Sequence, residues 1–431
     1  MLDIRRLRTD PDAVRAGLSR RGGDAADFVD RILQLDAEQR ALGTQRDEVR
    51  ARIKVLSKEV GQLRGGGDLE RAEALMAESR SLGDEEKALG GEVDRVEAEV
   101  RDLLLRTPNL PADDCPDGAS EVDNVVLRTE GYDPDRYAAH QRVPHWEIGE
   151  ELGILDPERA AKISGAMFAL YRGWGARLLR AMVQHSLDRN ADAYEELRPP
   201  TLVRTDTMIA TGHLPKFEEE AYHMERDDLW AIPTAEVPLT SLHRDEILDA
   251  ADLPLRYTAY TSCFRREAGA AGRDTRGLLR VHEFDKVELF ALADGPEQAV
   301  ACQEDVLARS EAVLTDLGLP YRVVDLCTGD VGASAARTWD LEAYAPGCDM
   351  WLEVSSVSWF TDYQARRANI RFRTPGSKGT EVCHTVNGSA MGWSRTVAAY
   401  LETHRRADGS VVVVDCLRPY LGGAESFARR R

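Results

Sequence analysis

Residues 261–290 read TSCFRREAGAAGRDTRGLLRVHEFDKVELF, and the rest of the chain is organised around them. The closing run alternates apolar Phe284, Val287 and Leu289 with charged Asp285, Lys286 and Glu288. Alternation on both flanks of a polar, glycine-containing segment predicts two strands joined by a long loop. The loop carries arginines, whose planar guanidinium groups grip phosphate through paired hydrogen bonds. The residues alone leave open a phosphate clamp or a solvated charged hairpin, and an isolated FRRE favours the second.

Length and composition limit the possible classes of protein. A chain of 431 residues predicts two or three domains. The 56 basic and 75 acidic residues give a net charge of −19, which argues against broad nucleic-acid binding and against a DNA partner. An N-terminus without an apolar core, in a chain without a run of about 18 apolar residues, predicts a cytoplasmic protein with no membrane partner. The 7 cysteines form no CxxC pair, so we expect reduced thiols and no structural metal.

Apolar residues recur every seven positions between residues 24 and 105. They are Phe28, Leu35, Leu42, Val49, Leu56 and Leu63, and then, beyond the glycines at 65–67, Leu75, Leu82, Leu89, Val96 and Leu103. A heptad on both sides of a glycine turn predicts an antiparallel two-helix coiled coil. The first helix carries a basic stripe that includes Arg40, Arg46, Arg50, Lys54 and Lys58. A phosphate backbone, a solvated face and a dimer contact are all open readings of that stripe.

Composition and spacing divide the chain into three segments. Residues 1–106 form a helical N-terminal domain with the long arm, and 107–143 are rich in Pro, Asp and Gly and predict a linker. Residues 144–431 form a mixed α/β body. Within it, a helical run over about 173–187 precedes the strand-like EELRPPTLV, and the apolar run 411–414 predicts a further strand.

Long stretches of the chain resemble, in the same order, the motifs of bacterial-type seryl-tRNA synthetases, which are class II aminoacyl-tRNA synthetases. FRREAGAAGRDTRGLLRVHEFDKVELF resembles motif 2, and LPKFEEEAYHMERDDLWAIPTAEVPLTSLHRDEIL resembles the serine-pocket region. LEVSSVSWFTDYQARRANIRFR resembles the metal-binding strand, and HTVNGSAMGWSRTVAAYLETH resembles motif 3. Motifs of this length in register are far more specific than a short pattern.

The resemblance implies a fold and an assembly. The fold is α+β, with an antiparallel sheet flanked by helices and an N-terminal antiparallel coiled coil. The helix, strand and Pro200 near residue 200 look like motif 1, which forms a homodimer interface in the family. The coiled coil would bind tRNA(Ser) across that dimer, through Arg40, Arg46, Arg50, Lys54 and Lys58.

The resemblance also implies the site residues. Serine would contact Thr234, Ala235, Glu236, Arg265, Glu288 and Ser389. ATP would contact Arg265, Arg266, Glu267, Val281, Phe284, Glu353, Val354, Ser355, Ser356 and Arg395. Glu353 and Ser356 would be the Mg²⁺ ligands, and Arg265 and Arg395 would be the catalytic arginines.

The implied reaction needs no protein nucleophile. The serine carboxylate would attack the α-phosphorus of ATP, pyrophosphate would leave, and the adenylate would pass to the terminal ribose of tRNA(Ser), or of tRNA(Sec) where present. Positioning and charge stabilisation by arginines and a metal ion carry such a reaction.

Two stretches depart from the family pattern and keep other functions open. NGSAMGWSR stands where NGSGLAVGR is common, and SSVSWF stands where SSCSNF is commoner, which introduces Val357, Trp359, Met391 and Trp393. Packing variation is the favoured interpretation. A specialised second synthetase, for antibiotic self-resistance or a biosynthetic pathway, is the sharper hypothesis. A carrier-protein enzyme would lack the arm, and a non-catalytic tRNA-binding paralogue would have lost Arg265, Glu353 or Arg395.

Overall fold

The computed structural model of the chain describes residues 1–268 and 276–429. The centre of the predicted motif 2 loop, with Arg273, lies outside these residues. The described chain divides into two compact units, one of residues 2–19 and 23–108, and the other of residues 1, 20–22 and 109 onward. None of the helices in this part of the chain has the length and apolar character needed to cross a bilayer. The roles assigned to the three segments remain predictions.

The described residues form the α-helices α1–α12 and the strands β1–β16, besides short 3-10 helices. The helices are α1 (Ile4–Thr9), α2 (Pro11–Ser19), α3 (Asp27–Gly66), α4 (Leu69–Arg106), α5 (His145–Leu152), α6 (Pro157–Ser164), α7 (Trp174–Asn190), α8 (Thr205–Thr211), α9 (Glu236–Thr240), α10 (Pro296–Asp316), α11 (Tyr363–Ala368) and α12 (Trp393–Thr403). The strands are β1 (Val125–Glu130), β2 (Glu195–Leu197), β3 (Leu202–Arg204), β4 (Tyr222–Met224), β5 (Leu229–Ala231), β6 (Ile247–Asp249), β7 (Leu255–Phe264), β8 (Glu283–Ala293), β9 (Tyr321–Asp325), β10 (Arg337–Ala345), β11 (Met350–Trp359), β12 (Arg371–Arg373), β13 (Glu381–Val382), β14 (His384–Gly392), β15 (Val411–Val412) and β16 (Ser426–Phe427).

The predicted coiled coil is confirmed as the helical hairpin of α3 and α4. Its buried seam includes Leu35 and Leu56 from the first helix and Val96 from the second. The turn is later than expected, because α3 continues through Gly65 and Gly66 and ends where Gly67 takes a left-handed φ of 85°. Glycine adopts that conformation without the penalty of a Cβ. Ion pairs then tie the two helices along their length, among them Arg50–Glu86 at 2.6 Å and Arg52–Glu78 at 3.0 Å.

The second unit is built on an eight-stranded sheet in the order β1-β9-β10-β11-β14-β8-β7-β2. All neighbouring strands are antiparallel except β2, which lies parallel to β7. The predicted motif 2 hairpin is the β7–β8 pair, in register from Leu255–Leu292 to Phe264–Glu283. The α+β prediction with a large antiparallel sheet is confirmed.

The two faces of β8 serve different purposes. Val287, Leu289 and Ala291 belong to the main apolar core, with residues of α7, α10 and α12. Phe284, Lys286 and Glu288 lie on the other face, because side chains alternate along a strand. The sequence pattern grouped Phe284 with Val287 and Leu289, and that grouping is wrong because the pleat has a strict period of two.

Two sequence predictions need correction outside the hairpin. The segment 107–143 is not free of strand, because β1 pairs with β9 at the edge of the large sheet. The β-branched residues of VVLRTE favour a strand despite the proline-rich surroundings. The predicted strand 411–414 is shorter than expected, since β15 covers only Val411–Val412 and pairs with β16 in a separate small sheet.

We expect Leu56→Ala to unfold the arm more easily than Val55→Ala. Leu56 is fully buried in the hairpin seam, while the Val55 side chain beside it is 48% exposed. Truncating a buried leucine costs about 2–5 kcal/mol, and exposed truncations stay within about 0.5 kcal/mol. Urea titration followed by helical circular dichroism measures the difference. Equal losses for the two variants would contradict the assigned seam.

Candidate active site

A cavity of about 720 Å³ lies on the polar face of the sheet and is lined by residues of β8, β10, β11 and β14. Most of the predicted site residues line it: Thr234, Glu236, Arg265, Glu267, Val281, Phe284, Glu288, Glu353, Val354, Ser355, Ser356, Ser389 and Arg395. Ala235 is fully buried behind the lining. Arg266 is exposed and does not line the cavity, and its backbone N–H donates to the Glu220 carbonyl at 2.9 Å.

A buried charged cluster occupies one end of the cavity. Lys286 Nζ lies 2.5 Å from Glu288 Oε2 and donates to Thr234 Oγ1 at 2.6 Å. Thr234 Oγ1 donates to the same Glu288 oxygen at 3.1 Å, and Asn387 Nδ2 donates to Oε1 at 3.0 Å. The Glu288 carboxylate is therefore held on both oxygens. A ligand that reaches this end meets a fixed arrangement of an acid, a hydroxyl and an ammonium group.

Glu236 forms a second acidic position beside this cluster. Its Oε1 accepts from Gln364 Nε2 at 2.6 Å, and Gln364 Oε1 in turn accepts from Thr385 Oγ1 at 2.7 Å. Burial and the negative charge of Glu288 raise the pKa of the Glu236 carboxyl to about 7. A cationic group placed between Glu236 and Glu288 would stabilise the ionised form of Glu236 and so offset the effects of burial and of the Glu288 charge. The arrangement therefore suits an ammonium group.

The sequence analysis missed several polar residues in or beside the cavity, namely Lys286, Gln364, Asn387 and His213. Lys286 could have been found from strand parity, since it stands two positions before Glu288 and shares its face. Gln364 lies on α11 and Asn387 on β14, and neither had a signal in the quoted motifs beyond its place in them. Burial, together with nearby cationic Arg265 and Lys286, lowers the pKa of His213 to about 3, so this imidazole is neutral.

The opposite end combines arginines with an aromatic ring. The Arg265 guanidinium lies 5.1 Å from the centre of the Phe284 ring. Glu267, at a positive φ of 50°, accepts from Arg280 Nη1 at 3.1 Å. Arg395, in the first turn of α12, donates to the Leu279 carbonyl at 3.0 Å and to the Glu353 carbonyl at 3.1 Å. An aromatic plane beside guanidinium groups suits a nucleotide with its phosphates.

The residues predicted to hold a divalent cation fit that task. Glu353 and Ser356 line the cavity, and Asp340 on β10 is the cross-strand neighbour of Ser356. Burial and the charge of Glu353 raise the pKa of Asp340 well above its usual range. Asp340 Oδ1 is buried and has no hydrogen-bond partner among the described residues. Carboxylate and hydroxyl oxygens are ligands that Mg²⁺ prefers, and Asp340 is an acid that the sequence analysis missed.

The four residues that depart from the family pattern are neighbours of lining residues in the sequence but do not themselves line the cavity. Val357, Met391 and Trp393 are fully buried and belong to the main core. Trp359 is half-buried and its Nε1 donates to His384 Nδ1 at 3.3 Å. Among the described residues, none of the four lines the cavity. These positions favour the interpretation as packing variation.

Two family models match the chain. Residues 216–404 match the tRNA synthetase class II core domain (G, H, P, S and T), and residues 1–111 match the seryl-tRNA synthetase N-terminal domain. A serine–tRNA ligase from Geobacillus kaustophilus is 48% identical over 427 residues, which are 99% of both chains.

Solved structures agree with the family models. A seryl-tRNA synthetase from Pyrococcus horikoshii, solved in complex with ATP, superposes with a TM-score of 0.91 at 35% identity over 100% of both chains. A cytoplasmic serine–tRNA ligase from Naegleria fowleri, solved with AMP, gives a TM-score of 0.87 at 28% identity over 100% of this chain and 99% of that one.

The antiparallel sheet, its motif 2 hairpin and the cavity on its polar face define a class II aminoacyl-tRNA synthetase. The predictions of an enzyme and of this class are confirmed. Within the class, the chain belongs to the seryl-tRNA synthetase family, and its curated relatives are mostly bacterial.

We expect Glu236→Gln to stabilise the protein increasingly as pH rises from about 4.5 to about 7. The pKa of Glu236 is raised from 4.5 to about 7, so the native state holds the proton more tightly than the unfolded chain. The tighter proton binding stabilises the native state fully below the unfolded pKa, and this stabilisation, roughly 3 kcal/mol, is lost as pH rises through the folded pKa. A glutamine does not titrate, so the variant keeps its stability over the same pH range.

Thermal unfolding of both proteins between pH 4.5 and 8 measures this difference. The gap in melting temperature should widen up to about pH 7 and then level off. Glu218→Gln, at an exposed glutamate, is the control and should give a constant gap. A constant gap for Glu236→Gln as well would contradict the raised pKa.

Proposed function

We propose that the chain activates serine with ATP and transfers it to tRNA(Ser), and to tRNA(Sec) where that tRNA is present. One observation carries the proposal. The acidic pocket of Glu236 and Glu288 and the arginine–aromatic end at Arg265 and Phe284 open into a single cavity. A small amino acid at one end and ATP at the other would bring a carboxylate to an α-phosphate. Family membership identifies the amino acid as serine.

The acidic end would bind the serine ammonium and side-chain hydroxyl. Glu236 and Glu288 offer carboxylates, while Thr234 and Ser389 lie close to Glu288. A pocket with buried polar groups rejects alanine, because those groups lose a partner when the ligand has no hydroxyl. The charge of the bound ammonium would also hold Glu236 ionised despite its burial.

The other end would bind ATP and hold the charge that develops during adenylation. Phe284 would stack on adenine, Glu267 would accept from its amino group, and Arg265 would hold both the α-phosphate and the serine carboxylate. Arg395 would contact the γ-phosphate. A bound Mg²⁺ neutralises phosphate charge, and Glu353 and Ser356 would hold it, with Asp340 beside them.

The arm would bind tRNA, most directly through the two lysines of α3, Lys54 and Lys58. Arg40 and Arg50 already pair with acids of the hairpin, Asp36 at 3.1 Å and Glu86 at 2.6 Å, and Arg46 lies 3.8 Å from Asp47. Lys54 and Lys58 are exposed and form no ion pair with a described residue, so their charges are available to phosphate. A homodimer that binds tRNA across its subunits, in the cytoplasm, completes the proposal.

We expect Arg265→Ala to lower serine-dependent ATP–pyrophosphate exchange by about 100-fold or more. Arg265 lines the cavity beside Phe284, whereas the neighbouring Arg266 does not line it. Arg266→Ala is therefore the matched control and should stay within about threefold of the unmodified protein. Comparable losses in both variants would contradict the assigned role of Arg265, and no exchange in the unmodified protein would overturn the proposed activity.

We expect the double variant Lys54→Ala, Lys58→Ala to raise the KM for tRNA(Ser) about tenfold and leave pyrophosphate exchange unchanged. Loss of two phosphate contacts weakens an electrostatic interface and makes binding less sensitive to salt, so the difference from the unmodified protein should shrink as the salt concentration rises. Lys87→Ala, on the other helix of the hairpin, is the control. Aminoacylation measured over a range of tRNA and salt concentrations provides the test. An unchanged KM would exclude these lysines from the tRNA contact.

A further inference from the structure

A fully buried histidine, His145, links the backbone segment that leads into β8 to the C-terminal end of α12. His145 begins α5 and is 0% exposed. Its Nδ1 lies 2.8 Å from Glu402 Oε1, in the last turn of α12, and its backbone N–H donates to the same oxygen at 2.9 Å. The other Glu402 oxygen accepts from the backbone N–H groups of Gly347 at 2.8 Å and Cys348 at 3.1 Å.

These contacts fix the tautomer of His145. The backbone N–H of Leu278 can only donate a hydrogen bond, and it lies 2.9 Å from Nε2. Nε2 is therefore bare and Nδ1 carries the proton. The imidazole therefore contacts two elements. One nitrogen holds the limb of the motif 2 loop that returns to β8, which is residues 276–282, and the other nitrogen holds the end of α12.

The same limb is tied to the other end of α12. Arg395, in the first turn of the helix, donates to the Leu279 carbonyl at 3.0 Å. Leu279 and Val281 line the cavity on the nucleotide side. The limb is thus held against α12 at two adjacent residues, directly at Leu279 and through His145 at Leu278. Two adjacent ties fix the direction of the backbone as well as its position.

Gly277 allows this close approach. Its φ is +63°, and a Cβ at this position would lie 2.3 Å from His145 Nε2 and 3.1 Å from Trp146. Any side chain at position 277 would push the limb away from the imidazole. The hydrogen bond between His145 and Leu278 therefore requires a residue without a side chain at position 277.

His145, Cys348 and Glu402 form a cluster in which hydrogen bonds satisfy the Glu402 carboxylate without a metal ion. Ligand atoms of His145, Cys348 and Glu402 lie within 4.8 Å of one another, a spacing that a cation could bridge. However, Glu402 already accepts from the imidazole, the Cys348 thiol at 3.1 Å and three backbone N–H groups. Such a saturated carboxylate serves to orient the imidazole.

We propose that His145 is a positioning residue for ATP binding, acting through Leu278 and Leu279 to set the wall of the nucleotide site. The inference rests on the proposed function, because it assumes that ATP occupies the end of the cavity at Val281 and Arg395. His145 forms no hydrogen bond with Thr234, Lys286 or Glu288, which hold one another at the serine end. Its loss should therefore affect ATP more than serine.

We expect His145→Ala to raise the KM for ATP about tenfold in pyrophosphate exchange, while the KM for serine stays within twofold. His145→Gln keeps one donor and one acceptor and should recover part of the ATP affinity. A merely structural role would lower the melting temperature and leave both KM values alone, or raise both equally. Either result would overturn the proposal.

The contact between His145 and Gly277 gives a sharper test. Gly277→Ala should raise the KM for ATP at least fivefold in the unmodified background and much less in the His145→Ala background, where the imidazole is gone. Gly422→Ala is the matched control, because Gly422 has a similar φ of +69° with no atom within 4 Å of its added Cβ. Additive effects of His145→Ala and Gly277→Ala would contradict the proposed contact.

Equilibrium binding of a non-hydrolysable ATP analogue tests the positioning role of His145 separately from the proposed function. If the unmodified protein binds the analogue and His145→Ala binds it about tenfold more weakly, the positioning role holds even without serine-dependent exchange. If the unmodified protein exchanges with serine and every His145 and Gly277 variant binds the analogue equally well, the proposed function stands and the positioning role falls.

Discussion

The buried ion pair between Lys286 and Glu288 is the interaction on which the order of the cavity depends. Their side chains are 8% and 1% exposed, so either charge alone would be strongly unfavourable at this depth. Thr234 and Asn387 supply the further hydrogen bonds that a buried pair requires. These residues come from β8, from β14 and from the segment after β5, so the pair fixes three parts of the chain around one point. The apolar face of β8, packed in the main core, holds the strand rigid behind it.

The nucleotide end of the cavity is held differently, by hydrogen bonds that connect the backbone of residues 278 and 279 to α12, directly or through His145. Arg395 and Glu402 sit in the first and last turns of that helix, and each contributes to holding residues 278 and 279. One helix therefore holds the backbone of residues 278 and 279, close in sequence to Val281 of the cavity lining, through contacts at both of its ends. Adenylation needs little from the protein beyond such placement, because the attacking carboxylate and the leaving pyrophosphate belong to the substrates. The absence of a protein nucleophile in the assigned roles agrees with this.

The fold could be predicted from long motifs and a sustained heptad, whereas the polar network of the cavity could not be predicted from the sequence. The hairpin of α3 and α4 follows from seven-residue spacing that few other folds would maintain. The β7–β8 pair follows from alternation around a polar loop. Strand β1 escaped notice because its partner β9 is remote in sequence and its surroundings are rich in proline. Lys286, Asp340 and Gln364 escaped because the roles of buried polar residues depend on which strands become neighbours. Arg266, assigned with Arg265 from the motif, does not line the cavity, and the motif alone does not show which of two adjacent arginines does.

Serine-dependent ATP–pyrophosphate exchange, with threonine, cysteine, alanine and glycine in parallel, tests the central claim most directly. A cavity with a fixed acid, hydroxyl and ammonium group at one end, and a nucleotide site at the other, should support exchange with serine alone. Alanine should fail because it leaves buried polar groups unpaired. Equal exchange with another amino acid would contradict the assigned serine end. No exchange with any of them would contradict the reading of the cavity as an adenylation site.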